Sequence, residues 1–210
     1  MKKVLFLFLG ILASCGIPYD GETIVTLEAS IKNASGEPLP FQIATVSGSA
    51  DFDYSDFGIY RNESNALGIL KFELFSPKNR AYLQFENSNN FLPLSIAFDK
   101  SSFEMFHLNL GVITLFQPNE IESFNITLNP ASGTSNLISI DVQAIKYESY
   151  VNLTDEMNNA NPELNLSYTL KKNQNFNLNY QTQNNFTGAI SSFSIPLTME
   201  NSALEYTITY

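Results

Sequence analysis

Apolar side chains recur at every second position through most of this chain, and that period commits it to β-strands. Val25, Leu27, Ala29 and Ile31 share one parity, while Thr26, Glu28, Ser30 and Lys32 hold the other. Successive side chains of a strand point to opposite faces, so such a run is a strand with one buried face. The motif 34–40, Ala-Ser-Gly-Glu-Pro-Leu-Pro, ends it with turn chemistry. A second strand is predicted over 41–46, then a polar turn region over 62–68. Leu70, Phe72 and Leu74 next point one way, with Lys71 and Glu73 pointing the other. Further strands are predicted near 81–86, 92–98, 103–108 and 112–116. Proline and polar residues then make 117–120 a linker.

The second half repeats this logic. Phe124, Ile126 and Leu128 alternate, as do Ile138, Ile140, Val142 and Ala144. Leu164, Leu166, Tyr168 and Leu170 precede Phe176, Leu178 and Tyr180, joined by a polar loop of hairpin length over 171–175. Leu204, Tyr206, Ile208 and Tyr210 carry the alternation to the last residue, where a strand needs a partner to avoid fraying. Helical periodicity is nearly absent, and the best candidate, 155–160, is long enough for one or two turns only. Short strands at close spacing in each half predict an all-β chain of two tandem β-sandwich domains, Ig-like or transthyretin-like, over 22–117 and 118–210. One large sandwich or barrel is the other arrangement the pattern allows.

Ahead of the strands stands a leader. Met1-Lys2-Lys3 is basic, and residues 4–12 are an apolar run of about nine, far short of the roughly 20 a spanning helix needs but suited to a secretory signal. The segment ends in Leu12-Ala13-Ser14-Cys15, which resembles the lipobox of bacterial lipoproteins. That resemblance implies removal of residues 1–14, a diacylglycerol thioether on Cys15, an acylated amino terminus, and a lipidated tether over 15–21. Cys15 is the only cysteine in 210 residues. A secreted chain with one cysteine cannot form an internal disulfide and would expose a reactive thiol, so lipidation resolves a chemical oddity. Two or more acyl chains also hold a protein to a membrane where one holds only marginally. Gly16 follows the cysteine in place of the aspartate that commonly retains lipoproteins in the inner membrane, so the resemblance favours the outer membrane.

Lys2 and Lys3 leave with the leader, and the formal charge moves from −10 to −12. Nucleic acid and anionic headgroups need positive charge opposite them, so neither is an expected partner.

Residues 22–117 also resemble the carboxypeptidase-regulatory-like domains. Gly36-Glu37-Pro38-Leu39-Pro40 is similar to that family's turn, residues 65–72 (Asn-Ala-Leu-Gly-Ile-Leu-Lys-Phe) to its glycine-aromatic strand, and residues 110–115 (Leu-Gly-Val-Ile-Thr-Leu) to its closing strand. The resemblance implies a transthyretin-like, seven-stranded sandwich of a kind common in bacterial envelope proteins. The opening strand lacks the family's early glycine and aspartate, and Phe41-Gln42 stands where a small Gly-Ala pair is usual.

Chemistry-bearing residues are sparse. His107 is the sole histidine, and no Gly-x-Ser-x-Gly elbow supplies a nucleophile for it. One histidine and one acylated cysteine cannot make a structural zinc site. Asp51, Asp53 and Asp56 are the one calcium candidate, but their spacing is not that of an EF-hand, and a solvated loop is the ordinary explanation. Glu104, Glu122, Glu148 and Glu163 are scattered, with nothing to single out an acid–base pair. The sequon-like triplets at Asn62, Asn125 and Asn185 fit a chain rich in Asn, Ser and Thr. Tyr54, Phe57 and Tyr60, and Asn184-Asn185-Phe186, could contact a sugar or a protein; core filling is the ordinary role for the aromatics, and the absence of Trp weighs against sugar stacking. The expectation is a membrane-anchored, non-enzymatic binding or structural module without a cofactor, partnered by protein or glycan. The alternative is a carbohydrate-binding accessory lipoprotein.

Overall fold

The computed structural model describes residues 23–48, 58–86, 90–130, 133–154 and 164–210. These form fourteen strands in four sheets, with only short 3-10 turns between them. The first half holds β1 (Ile24–Asn33), β2 (Ile43–Gly48), β3 (Tyr60–Glu63), β4 (Ile69–Phe75), β5 (Ala81–Phe85), β6 (Leu94–Phe98) and β7 (His107–Leu115). The second holds β8 (Ile121–Asn129), β9 (Ser135–Gln143), β10 (Tyr150–Asn152), β11 (Ser167–Lys171), β12 (Gln174–Asn184), β13 (Ile190–Met199) and β14 (Leu204–Thr209). The sheet orders are β4-β1-β7, β10-β6-β5-β2-β3, β11-β8-β14 and β13-β12-β9.

Two sandwiches result, each around its own core. Val25, Leu27, Ala29 and Ile31 of β1 and Leu70, Phe72 and Leu74 of β4 face Val46, Leu83, Ile96 and Phe98 from the opposing sheet. Phe124 and Ile126 of β8, with Ile208 of β14, face Val142, Phe176, Leu178 and Met199. Burying each of these large side chains contributes about 1.5–3 kcal/mol, which is what holds the sheets face to face. In both halves the first strand pairs with the last in parallel, β1 with β7 and β8 with β14. A third parallel pair crosses the halves: β10 leaves the second sandwich and adds a fifth strand to the first one's sheet, Val151 opposite Ile96.

The glycine motifs meet in space. Gly36 (φ +84°) closes the turn after β1, where the Asn33 side-chain oxygen accepts from the backbone N–H of Ser35 and Glu37. The arm then returns along β1, with Leu39 N–H donating to Ile31 O at 2.9 Å. Gly68 (φ +74°) lies against that crossing, and a Cβ there would stand 2.6 Å from Ile31 O. Only glycine meets both demands.

The structure departs from the alternation pattern at five places. Residues 103–108 and 112–116 are not two strands: β7 runs unbroken from His107 to Leu115, and 105–106 form a turn. The cause is a bulge. Two residues lie between Asn109 and Val112 while one lies between their partners Glu28 and Ser30, and Gly111 takes φ +65°. The extra residue switches the buried parity from Leu108 to Ile113 and Leu115, so a continuous strand looks like two. A second bulge, in β9 opposite Gln181 and Thr182, turns Ile138 out of the expected inward row, and Leu137 packs on the core in its place.

β11 and β12 are not a hairpin. The chain changes sheets between them, because β11 pairs with β8 and β12 with β9 and β13. Residues 62–63 belong to the polar edge strand β3 rather than to a turn. The linker at 117–120 is a 3-10 turn docked on the second half, where Glu120 O accepts from Lys172 N–H at 2.8 Å. The helix candidate at 155–160 lies outside the described residues.

Candidate functional site

Cys15, the Asp51, Asp53 and Asp56 cluster, Tyr54, Phe57 and Glu163 lie outside the described residues. Among the described residues no group of three or more His, Cys, Asp or Glu stands close enough to hold a metal ion. His107 is exposed at the start of β7 and exchanges backbone hydrogen bonds with Glu104 across a tight turn. Glu122 pairs with Lys172 at 3.7 Å and Glu148 with Lys146 at 3.4 Å. Tyr60 packs half-buried on the first core, its hydroxyl accepting from Phe75 N–H at 3.3 Å. Phe186 does the opposite: 82% exposed, it is displayed on a turn in which the Asn184 side-chain oxygen accepts from Phe186 and Thr187 N–H.

The feature that alternation could not reveal is a groove where the two sandwiches meet. Residues 144–153 form its wall. Tyr147 N–H donates to Thr169 O and Lys171 N–H to Ile145 O, tying the near part of this segment to β11. Ser95 N–H donates to Ser149 O and Leu153 N–H to Ala97 O, tying the far part to β6. The segment is thus stretched between the halves. Beneath it opens a groove of about 400 Å³ lined by Leu94, Ile96, Leu110, Val112, Phe116 and Val151, with further residues from 144–153. The bulge at Gly111 shapes one side, where Leu110, Val112 and Ile113 all line the groove, Ile113 being buried in the first core as well.

Tyr147 anchors the wall. Its hydroxyl donates to Pro93 O at 2.7 Å, and its ring meets Phe116 edge-on at a centroid distance of 6.3 Å. Burial raises the phenol's pKa above the usual 10.0, so the proton needed for that bond stays in place. The lining is mainly apolar, with Thr114, Lys146, Tyr147 and Glu148 as its polar members, so the groove could hold an apolar side chain or acyl segment by burial. On the other side of the same segment, Tyr150, Tyr168, Asn165, Ser167, Lys146 and Glu148 line a more polar groove of about 310 Å³.

No helix among the described residues is long and apolar enough to cross a membrane. No protein-family model matches the sequence, and no curated protein matches it. Among solved structures, the Bacillus anthracis TIE protein is similar at 11% identity and a TM-score of 0.36, over 89% of this chain and 34% of that one. A streptococcal ancillary pilin is similar at 9% identity and a TM-score of 0.33, over 89% of this chain and 63% of that one. The shaft pilin of Lactobacillus rhamnosus GG is similar at 10% identity and a TM-score of 0.34, over 89% and 98% respectively. This chain therefore spans about a third of the first of these proteins and under two thirds of the second.

Proposed function

We propose that this chain is a lipid-anchored protein of the bacterial cell envelope, favouring the outer membrane, that works by binding or by holding position and not by catalysis. The membrane half of the proposal rests on Leu12-Ala13-Ser14-Cys15. The structural half is carried by β10, which knits the second sandwich into a sheet of the first. Two sandwiches merely strung together would swing independently, whereas a shared sheet transmits a pull or a docking event from one to the other.

The anchor is tested by recovering the amino-terminal peptide and by replacing Cys15. The wild type is expected in the membrane fraction, with acyl mass on a peptide beginning at Cys15. Cys15→Ala is expected to leave that fraction. A wild-type peptide that carries no lipid would refute the proposal. Protease treatment of intact cells then assigns the face, and capture from solubilised membranes that yields no specific partner would argue against the binding role.

The polar groove beside Tyr150 and Tyr168 supports the second reading, carbohydrate binding, because it places aromatic rings beside amide, hydroxyl and charged groups. Polysaccharide binding lost in Tyr150→Ala would favour it, and silence across a broad glycan panel would remove it.

A further inference from the structure

One end of the first sandwich exposes apolar side chains that the fold does not need. β1 starts there with Ile24, 63% exposed, directly opposite Phe75 at the end of β4, 42% exposed. β7 starts at the same end, because it runs parallel to β1 with His107 beside Thr26. The turn leading into β7 places Met105 and Phe106 at its tip, 95% and 65% exposed. Thr26 N–H donates to Phe106 O at 2.9 Å, which ties that tip to β1.

The turn is costly in two ways. Glu104 and His107 exchange both backbone hydrogen bonds at 2.9 Å, so Met105 and Phe106 are the two central residues of a tight reversal. Both take positive φ, 46° and 67°. Such a turn ordinarily uses Asn-Gly or Asp-Gly, since bulky side chains are strained there. Met-Phe accepts that strain and also shows its apolar surface to water. Where a sequence breaks a local rule without a gain inside the fold, function is the place to look.

What this end faces follows from the chain leading into it. Thr23, the first described residue, is here, bonded through its carbonyl to Ser76 N–H. Cys15 lies eight residues earlier, so the fully extended reach from a lipid on that cysteine is about 28 Å. This end is therefore held next to the bilayer at high effective concentration. We propose that Ile24, Phe75, Met105 and Phe106 form a second membrane contact, inserting into the uncharged interfacial layer and fixing the orientation of the first sandwich on its lipid tether. The inference rests on the anchor reading. The chain's net negative charge argues for apolar insertion over attraction to anionic headgroups.

The chain contains no Trp, so one introduced indole reports on its own surroundings. Full-length mature protein with Phe106→Trp is placed in phosphatidylcholine vesicles, with and without brominated acyl chains. The expected result is blue-shifted emission and at least two-fold quenching by the brominated lipid. Leu67→Trp, 71% exposed beside the start of β4 at the far end of the sheet, should stay red-shifted and unquenched. If Phe106→Trp loses its β-sheet circular dichroism, Met105→Trp replaces it. Water-like emission in vesicle-bound, lipidated protein would overturn this contact and leave the anchor standing. A blue shift without bromine quenching would mean that a second copy of the chain covers the tip, and would also overturn it. An amino-terminal peptide without lipid would overturn the anchor and this contact together.

Discussion

Ser64 shows how much a single polar residue carries at the crossing after β1. It is fully buried; its hydroxyl accepts from Gln42 N–H at 2.9 Å and donates to Leu39 O at 2.7 Å, holding the Pro38–Pro40 arm to the β3 side of the sandwich. Ser64→Ala leaves both backbone groups without that partner and is expected to cost about 2 kcal/mol in urea denaturation. Gly68→Ala meets two obstacles, a positive φ and a carbonyl oxygen 2.6 Å from the new methyl. It is expected to cost about 2–4 kcal/mol by the same measurement. Three tyrosines link stability to pH. Burial raises the pKa of Tyr147, Tyr168 and Tyr180, with the charge of Asp141 adding to it at Tyr168 and that of Tyr206 at Tyr180. A raised phenol pKa means that the folded chain keeps a proton the unfolded chain gives up near 10.0. Their contribution is therefore intact below about pH 10 and lost as pH rises through the folded values. Melting temperature against pH, read beside tyrosinate absorbance, should show a fall that starts above pH 10 and tracks late-ionising tyrosines.

Among the elements, β10 is the informative one. It is three residues long, and the register places Val151 over Ile96 along the open edge of β6. An uncovered edge with Leu94 and Ile96 beside it invites pairing with other chains. Val151→Asp in the full chain, which sets a charge against the first core, is accordingly expected to lower the melting temperature by about 2–4 °C, the shift that ~1 kcal/mol produces in a chain of this size. It should also raise light scattering. Equal melting temperatures would show that β10 adds nothing to the first sandwich. Edge position also explains which strands alternation does not announce. β3 (Tyr60–Glu63) is almost wholly exposed, and β13 (Ile190–Met199) is mostly so and carries Pro196, which an edge strand tolerates. A strand with little to bury writes little hydrophobic pattern.

At the scale of the molecule, each half is closed by its first strand pairing with its last, and the halves share a sheet through β10. Apart from the consecutive pairs β2–β3, β5–β6 and β12–β13, the strand pairings therefore join distant residues, and their loop entropy is spent before contacts form. Refolding from urea is expected on the millisecond-to-second scale of β-sandwich folding, without a sub-millisecond phase that recovers native signal. Stopped-flow fluorescence of the tyrosines checks it.

Alternation along the chain is enough to specify the all-β class and the inward row of most strands, because a period of two is a local property that burial on one face imposes. The sequence also marks the turn glycines, since positive φ leaves its trace at single positions, and it carries the Cys15 motif, which is a linear signal. The closed fold is what makes Leu108 and Ile113 part of one bulged strand, puts β11 and β12 in different sheets, and sets 144–153 as the wall of a groove between the halves. It likewise brings Ile24, Phe75, Met105 and Phe106 to one end of the sandwich. A bulge reverses parity without changing composition, and partners some eighty residues apart leave no mark on each other's local pattern, so these facts exist only once the chain has closed on itself.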